Sequence, residues 1–205
     1  MSYTTMIFDI DGTLTDSASA ILYALKRAVF ETTGQEYDNQ ELSFALGVPS
    51  HIAMKKLTGE KWEEAMAVGQ NYYLEGLKKI RLFDGIEDTI KKLHKKGTQL
   101  GIVTSKSRAE FERSFFNYSI YPYFDHIVCQ DDTPYHKPDP RPLLTCAKFF
   151  HADTTSVLYI GDTLSDSTCA RNAGITFALA GWGCPSPADV PSDILLTTPQ
   201  ELLAY

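Results

Sequence analysis

Five short apolar runs, at residues 6–8, 99–104, 126–129, 157–161 and 175–180, limit this chain to few folds. Each is too short for a buried helix and has the length of a strand. From residue 81 onward they alternate with segments of helical spacing. Ile86, Ile90 and Leu93 mark one helix closed by Gly97, and a second covers about 106–118. A third spans 138–150 with prolines in its first turn, and a fourth spans 165–173. Continuous apolar strands separated by helices imply a parallel sheet covered on both faces. In such sheets ligands bind beyond the carboxyl ends of the strands.

Between the first and second runs lies a long region, 16–80, with helical spacing and no strand-like run. Ile21, Leu25, Ala28, Val29 and Thr32 recur at helical intervals, and Gly34 can end that helix. Ser50 precedes a short helix ending near Leu57, and Trp62, Met66, Tyr73 and Leu77 mark a longer one. This pattern predicts a separate α-helical domain at 16–80, inserted into a core formed by 1–15 and 81–205. The tail from Pro185 carries no comparable pattern. At 205 residues the chain has room for one such domain with an insert. A formal charge of −7 and a pI near 5.2 argue against a nucleic-acid binder. No stretch has the composition of a membrane span, and the opening residues do not read as a signal peptide, so a cytoplasmic protein is expected. Cys129, Cys146, Cys169 and Cys184 lack metal-ligand spacing and are expected to be buried free thiols.

The polar residues that matter fall where a parallel sheet would gather them. Asp9 and Asp11 follow the first run and lie two apart, on the same side of an extended backbone. Two carboxylates so close repel, and burial raises the cost of ionising both; a bound hard cation relieves both effects. Thr104-Ser105-Lys106 follows the second run, and Gly161-Asp162-Thr163 with Asp166 follows the fourth. Lys137 stands in Lys137-Pro138-Asp139-Pro140 before the third helix. Carboxylates suit Mg²⁺, an ammonium suits phosphate as a point charge, and Thr104 with the backbone amides after it can donate to phosphate oxygens.

The ordered set 9-DIDGTLTDS-17, 103-VTSK-106, 137-KPDP-140 and 161-GDTLSD-166 resembles the haloacid dehalogenase superfamily, in particular its phosphoglycolate phosphatase-like branch. The resemblance covers nearly the whole chain. It implies a Rossmann-like sheet of five parallel strands in the order 5-4-1-2-3, with an inserted α-helical cap hinged near 14–17 and 80–84. It further implies Asp9 as the nucleophile that becomes an aspartyl phosphate, and Asp11 as general acid and then base. Mg²⁺ would be held by Asp9, the backbone carbonyl of Asp11, Asp162 and Asp166, the last directly or through water. Thr104, Ser105 and Lys137 would hold the phosphoryl group. Ser50, His51 and Lys106 are candidates for substrate selection. Gly181-Trp182-Gly183 reads as a turn after the fifth strand, and Tyr72-Tyr73 as core of the helical domain. The implied reaction is hydrolysis of a small phosphorylated metabolite. A phosphomutase, a pyrophosphatase and a non-catalytic phosphate-binding module are the alternatives.

Overall fold

The computed structural model describes residues 3–205. The chain divides into two compact units. One comprises Met1–Thr15 and Leu82–Tyr205, the other Asp16–Arg81. In the larger unit a six-stranded parallel sheet contains β1 (Thr5–Phe8), β4 (Gln99–Val103), β5 (His126–Val128), β6 (Val157–Gly161), β7 (Thr176–Ala180) and β8 (Ile194–Leu196). The spatial order is β5-β4-β1-β6-β7-β8. The five expected strands therefore stand in the expected order, and the sheet has a sixth beside β7. That strand was hidden in the sequence because it is three residues long and its central Leu195 faces solvent. The two-residue strands β2 (Thr15–Asp16) and β3 (Arg81–Leu82) pair where the chain passes between the units.

Alternation along each strand builds two apolar layers, one on each face of the sheet. Met6 and Phe8 of β1, Leu100 and Ile102 of β4, and Leu158 and Ile160 of β6 point into one layer. Ile86, Ile90 and Leu93 of α5 (Ile86–Lys95) and Phe111 of α6 (Arg108–Ser114) complete it. Ile7, Val103, Val157 and Tyr159 point into the other, against Leu143 and Cys146 of α7 (Arg141–Phe149) and Cys169 and Ala170 of α8 (Leu164–Ala173). All four cysteines are buried and free, as expected.

Two helices are shorter than their sequence patterns. The segment 106–118 is helical only over α6, because Ser107 caps it: its side chain accepts from the Glu110 amide while Glu110 accepts from the Ser107 amide. The segment 138–150 becomes helical only at Arg141, after Pro138 and Pro140.

Register places the strand tips level. Phe8 lies opposite Ile102 on β4 and opposite Ile160 on β6. The next residue, Asp9, donates its amide to the Ile160 carbonyl at 2.9 Å and so continues the ladder by one step. Thr104 and Asp162 each follow the last residue of their strand and emerge on either side of it.

The unit Asp16–Arg81 contains α1 (Ala18–Thr33), α2 (Asn39–Leu42), α3 (Ser50–Thr58) and α4 (Trp62–Leu77). Leu25, Ala28 and Val29 of α1 pack with Leu42, Met54, Leu57 and Ala65 into a core of its own. Gly34 ends α1 in the left-handed conformation, as its position predicts. Tyr72 and Tyr73 are half-buried rather than core. The Tyr72 hydroxyl contacts Arg27 and Glu31, since a phenol that reaches the surface finds polar partners there. No helix among the described residues is long and apolar enough to cross a membrane.

The two layers predict a stability difference. Ile90→Ala removes a fully buried side chain of the first layer and should cost about 2–5 kcal/mol in urea unfolding. Leu195→Ser, at a 53% exposed position, should stay within about 0.5 kcal/mol. Equal losses would contradict the packing described.

Candidate active site

Asp9, Asp162 and Asp166 converge beyond the tips of β1 and β6. One carboxylate oxygen of each lies within 4.8 Å of the other two, and all three residues are buried. Lys137 enters the same space, with its ammonium 2.9 Å from Asp9 Oδ1 and 2.7 Å from Asp166 Oδ1. Thr104, at the tip of β4, is also buried.

The three acids are held differently. Asp166 lies in the first turn of α8, capped by Thr163. Its Oδ2 accepts from the Thr163 amide at 3.1 Å and hydroxyl at 2.6 Å, and its Oδ1 accepts from Lys137 and, at 2.8 Å, from the Tyr159 hydroxyl. Both oxygens are thus engaged by the protein. Asp162 Oδ1 accepts from the Thr13 hydroxyl at 2.9 Å. Its carboxylate lies against Gly12, where a Cβ would stand 2.1 Å from Asp162 Oδ2. Gly12 also has a φ of +81°, so both the conformation and the space there require glycine.

These environments separate the acids electrostatically. Burial raises the Asp9 carboxyl to about 7, with Lys137 pulling it down and Asp166 and Asp11 pushing it up. Burial likewise holds Asp162 well above the usual carboxylate range, reinforced by Asp166 and Asp9. Burial works against ionisation of Asp166 too, yet Lys137 and the hydroxyls of Thr163 and Tyr159 bring it below its ordinary value. For Lys137, burial disfavours the charged form, but Asp166 and Asp9 outweigh it and hold the ammonium firmly protonated. One ammonium cannot balance three ionised carboxylates, so without a further cation Asp9 and Asp162 are pushed toward their protonated forms. An all-oxygen donor set with unbalanced negative charge fits a hard divalent cation.

Asp11 takes no part in the triad through its side chain. Its carboxylate instead pairs with the Lys106 ammonium at 2.7 Å. The Lys106 backbone is anchored: its amide donates to Thr104 Oγ1 at 3.2 Å, and its carbonyl accepts from the Gln130 amide at 2.8 Å. A cavity beside this segment is lined by Thr104, Ser105, Gln130, His136 and Lys137.

Residues 6–180 match the model of the haloacid dehalogenase-like hydrolases. The chain belongs to that family. It is 30% identical over 200 residues to the phosphoglycolate phosphatase of Aquifex aeolicus, a match covering 97% of this chain and 94% of that protein. It is 28% identical to the pyrophosphatase PpaX of Halalkalibacterium halodurans, covering 89% and 85% of the two chains. A crystal structure from Lactobacillus plantarum, provisionally named a phosphoglycolate phosphatase, superposes with a TM-score of 0.89. Its identity is 31%, over 100% of this chain and 99% of that one.

For a haloacid dehalogenase-like hydrolase, the sequence motifs named most of this cluster. They did not name the residues that orient it. Thr13 and Thr163 stand beside motif acids, and their hydroxyls are what the acids bond. Tyr159 was concealed inside an apolar strand; a buried phenol that needs a partner was the available signal. The turn at Gly181-Trp182-Gly183 does more than follow β7. Trp182 Nε1 donates to the Thr13 carbonyl at 2.9 Å, and Gly183 lies directly against the Gly12 carbonyl. Ser50 and His51 lie at the start of α3 in the helical unit.

A Cβ at Gly183 would stand 1.7 Å from the Gly12 oxygen, which is backbone and cannot swing aside. Gly183→Ala should therefore lower the unfolding free energy by more than about 2 kcal/mol. An unchanged urea midpoint would mean that the turn does not brace the Asp9–Thr13 segment.

Proposed function

We propose that this hydrolase is a Mg²⁺-dependent phosphatase that releases orthophosphate from a small phosphorylated metabolite through an aspartyl phosphate on Asp9. The observation that carries the reading is the buried cluster of Asp9, Asp162 and Asp166 around the single ammonium of Lys137. The family membership and the phosphatase names of its relatives support the same reaction class.

An Asp9 carboxylate oxygen attacks phosphorus as the bond from phosphorus to the leaving oxygen breaks. Asp11 gives that oxygen a proton. Asp11 then takes a proton from water, the water oxygen attacks phosphorus, and the bond to Asp9 breaks to release phosphate. Lys137 neutralises charge on Asp9 and on the phosphoryl oxygens, while Thr104 and the amides near Ser105 donate to those oxygens. Asp9, Asp162 and the backbone carbonyl of Asp11 would hold the cation, and Asp166 supports from behind by orienting Lys137. When bound, Mg²⁺ supplies a positive centre that lets a phosphate dianion approach carboxylates. We assign the helical unit, residues 16–80, the role of a cap that closes on the substrate over the core, 1–15 and 81–205. Ser50 and His51 are its candidates for contacting substrate. The inserted unit begins at Asp16, five residues after Asp11, so movement at that junction reaches the acid-base group directly.

Asp9→Asn should lower phosphate release at least about a thousand-fold and abolish covalent labelling by substrate phosphate. Labelling retained elsewhere would remove Asp9 from its role. Asp11→Asn should retain Mg²⁺ binding yet slow esters of poor leaving groups more than aryl esters; equal slowing would count against the acid-base assignment.

Cation binding should also depend on pH. Asp9, raised by burial from 3.8 to about 7, holds a proton in the folded metal-free protein across that interval. Taken alone, it makes the metal-free fold lose stability as pH rises through the interval, because the folded state binds the extra proton. Mg²⁺ must displace this proton, so calorimetry should show tighter binding at pH 8 than at pH 6, with proton release near pH 6. Binding independent of pH would place the cation away from Asp9.

A further inference from the structure

Two lysines divide the candidate site. Lys137 serves the nucleophile side, within 2.9 Å of Asp9 and 2.7 Å of Asp166. Lys106 serves the other side, 2.7 Å from Asp11. In the reaction proposed above, the line from Asp9 through phosphorus ends at the leaving oxygen, and Asp11 is the residue that meets it. Lys106 therefore stands at the leaving-group end of the line. We propose that Lys106 is a specificity-determining residue that selects substrates whose leaving group carries its own negative charge close to the scissile oxygen. This inference rests on the phosphatase reading and adds to it the class of leaving group.

Three observations carry it. First, the Lys106 side chain is only 9% exposed and that of Asp11 18% exposed, so the pair is sheltered without being sealed from a ligand. In a sheltered position a charge acts with much greater strength than at the surface. Second, the backbone of Lys106 is fixed on both sides. Its amide bonds Thr104 Oγ1, its carbonyl takes the Gln130 amide, and the capping box at Ser107 follows at once. The stem of the side chain thus starts from a fixed point beside the phosphoryl-binding Thr104. Third, the chain has placed a second ammonium here although Lys137 already meets Asp9 and Asp166. A cation on the leaving-group side gains most from a substrate with a carboxylate or phosphate there, since an ammonium can donate to two anions at once. Phosphoglycolate, which leaves a carboxylate-bearing alcohol, and pyrophosphate, which leaves phosphate, both fit this chemistry.

The competing account is that Lys106 only holds Asp11 in place or favours negative charge on every leaving oxygen. Then its loss would slow all phosphate esters alike. The full chain with Mg²⁺ should be assayed on phosphoglycolate, pyrophosphate and ethylene glycol monophosphate. The last matches phosphoglycolate in length and carries a hydroxyl in place of the carboxylate. In the unsubstituted protein, kcat/KM for phosphoglycolate should exceed that for ethylene glycol monophosphate by at least about tenfold. Lys106→Met should lower all three rates but erase most of that ratio, chiefly by raising KM for the two anionic-leaving-group substrates. Lys106→Arg, which keeps the charge, should restore a substantial part of the ratio. Equal preference in the unsubstituted protein overturns the inference without needing any variant to fold. A ratio unchanged by Lys106→Met, with Mg²⁺ binding intact, also overturns it and leaves the phosphatase reading standing. Absence of phosphate release from all three substrates by the unsubstituted protein would instead defeat the phosphatase reading, and this inference with it.

Discussion

The Lys137 ammonium, shared between Asp9 and Asp166 out of contact with bulk water, is the interaction on which the candidate site depends. Burying three carboxylates together is costly, and one cation repays only part of the cost. The structure distributes the remainder unevenly. Asp166 takes hydrogen bonds on both oxygens and stays ionised beside Lys137. Asp9 and Asp162 carry the surplus, and their carboxyls are pushed upward by burial. A site in this condition favours a divalent cation because the charge it lacks is positive and its donors are hard oxygens.

Parallel strands explain why these groups can meet at all. Registering Phe8 against both Ile102 and Ile160 sets Asp9 level with Val103 and Gly161, with Thr104 and Asp162 one residue further along on either side, although the three residues are far apart in the chain. Each is the first polar residue after an apolar strand, so the core that anchors it and the polar space it enters are one residue apart. The Gly12 turn then folds back against Asp162, and the Trp182–Gly183 turn braces Gly12 from behind. The opening carboxylate pair is consequently held from three elements and not by its own loop alone.

The same geometry keeps two ammoniums apart within the candidate site. Lys137 pairs with Asp9 and Asp166, Lys106 pairs with Asp11, and they approach from different loops. A substitution on the Asp11 side can thus alter one pair while leaving the contacts of Asp9 in place. The inserted helical unit has its own apolar core around Leu25, Val29, Met54 and Leu57.

The sequence by itself determined the strands, the order of the motifs and the identity of the clustered acids. Apolar runs must be buried, and the polar residues closing them must then fall at strand ends. It also marked the helical insertion, because a 3.6-residue period over 16–80 cannot be accommodated by a sheet. Only the tertiary structure decided that Tyr159 and Thr163 share Asp166 with Lys137, that Thr13 holds Asp162, and that Lys106 turns to Asp11. It also added the edge strand Ile194–Leu196, whose pairing comes from β7 and not from any pattern of its own. Apart from the local Thr163–Asp166 cap, those partnerships join side chains carried by different elements, and such a contact leaves no periodic trace in a sequence: it exists only once the fold has brought donor and acceptor together.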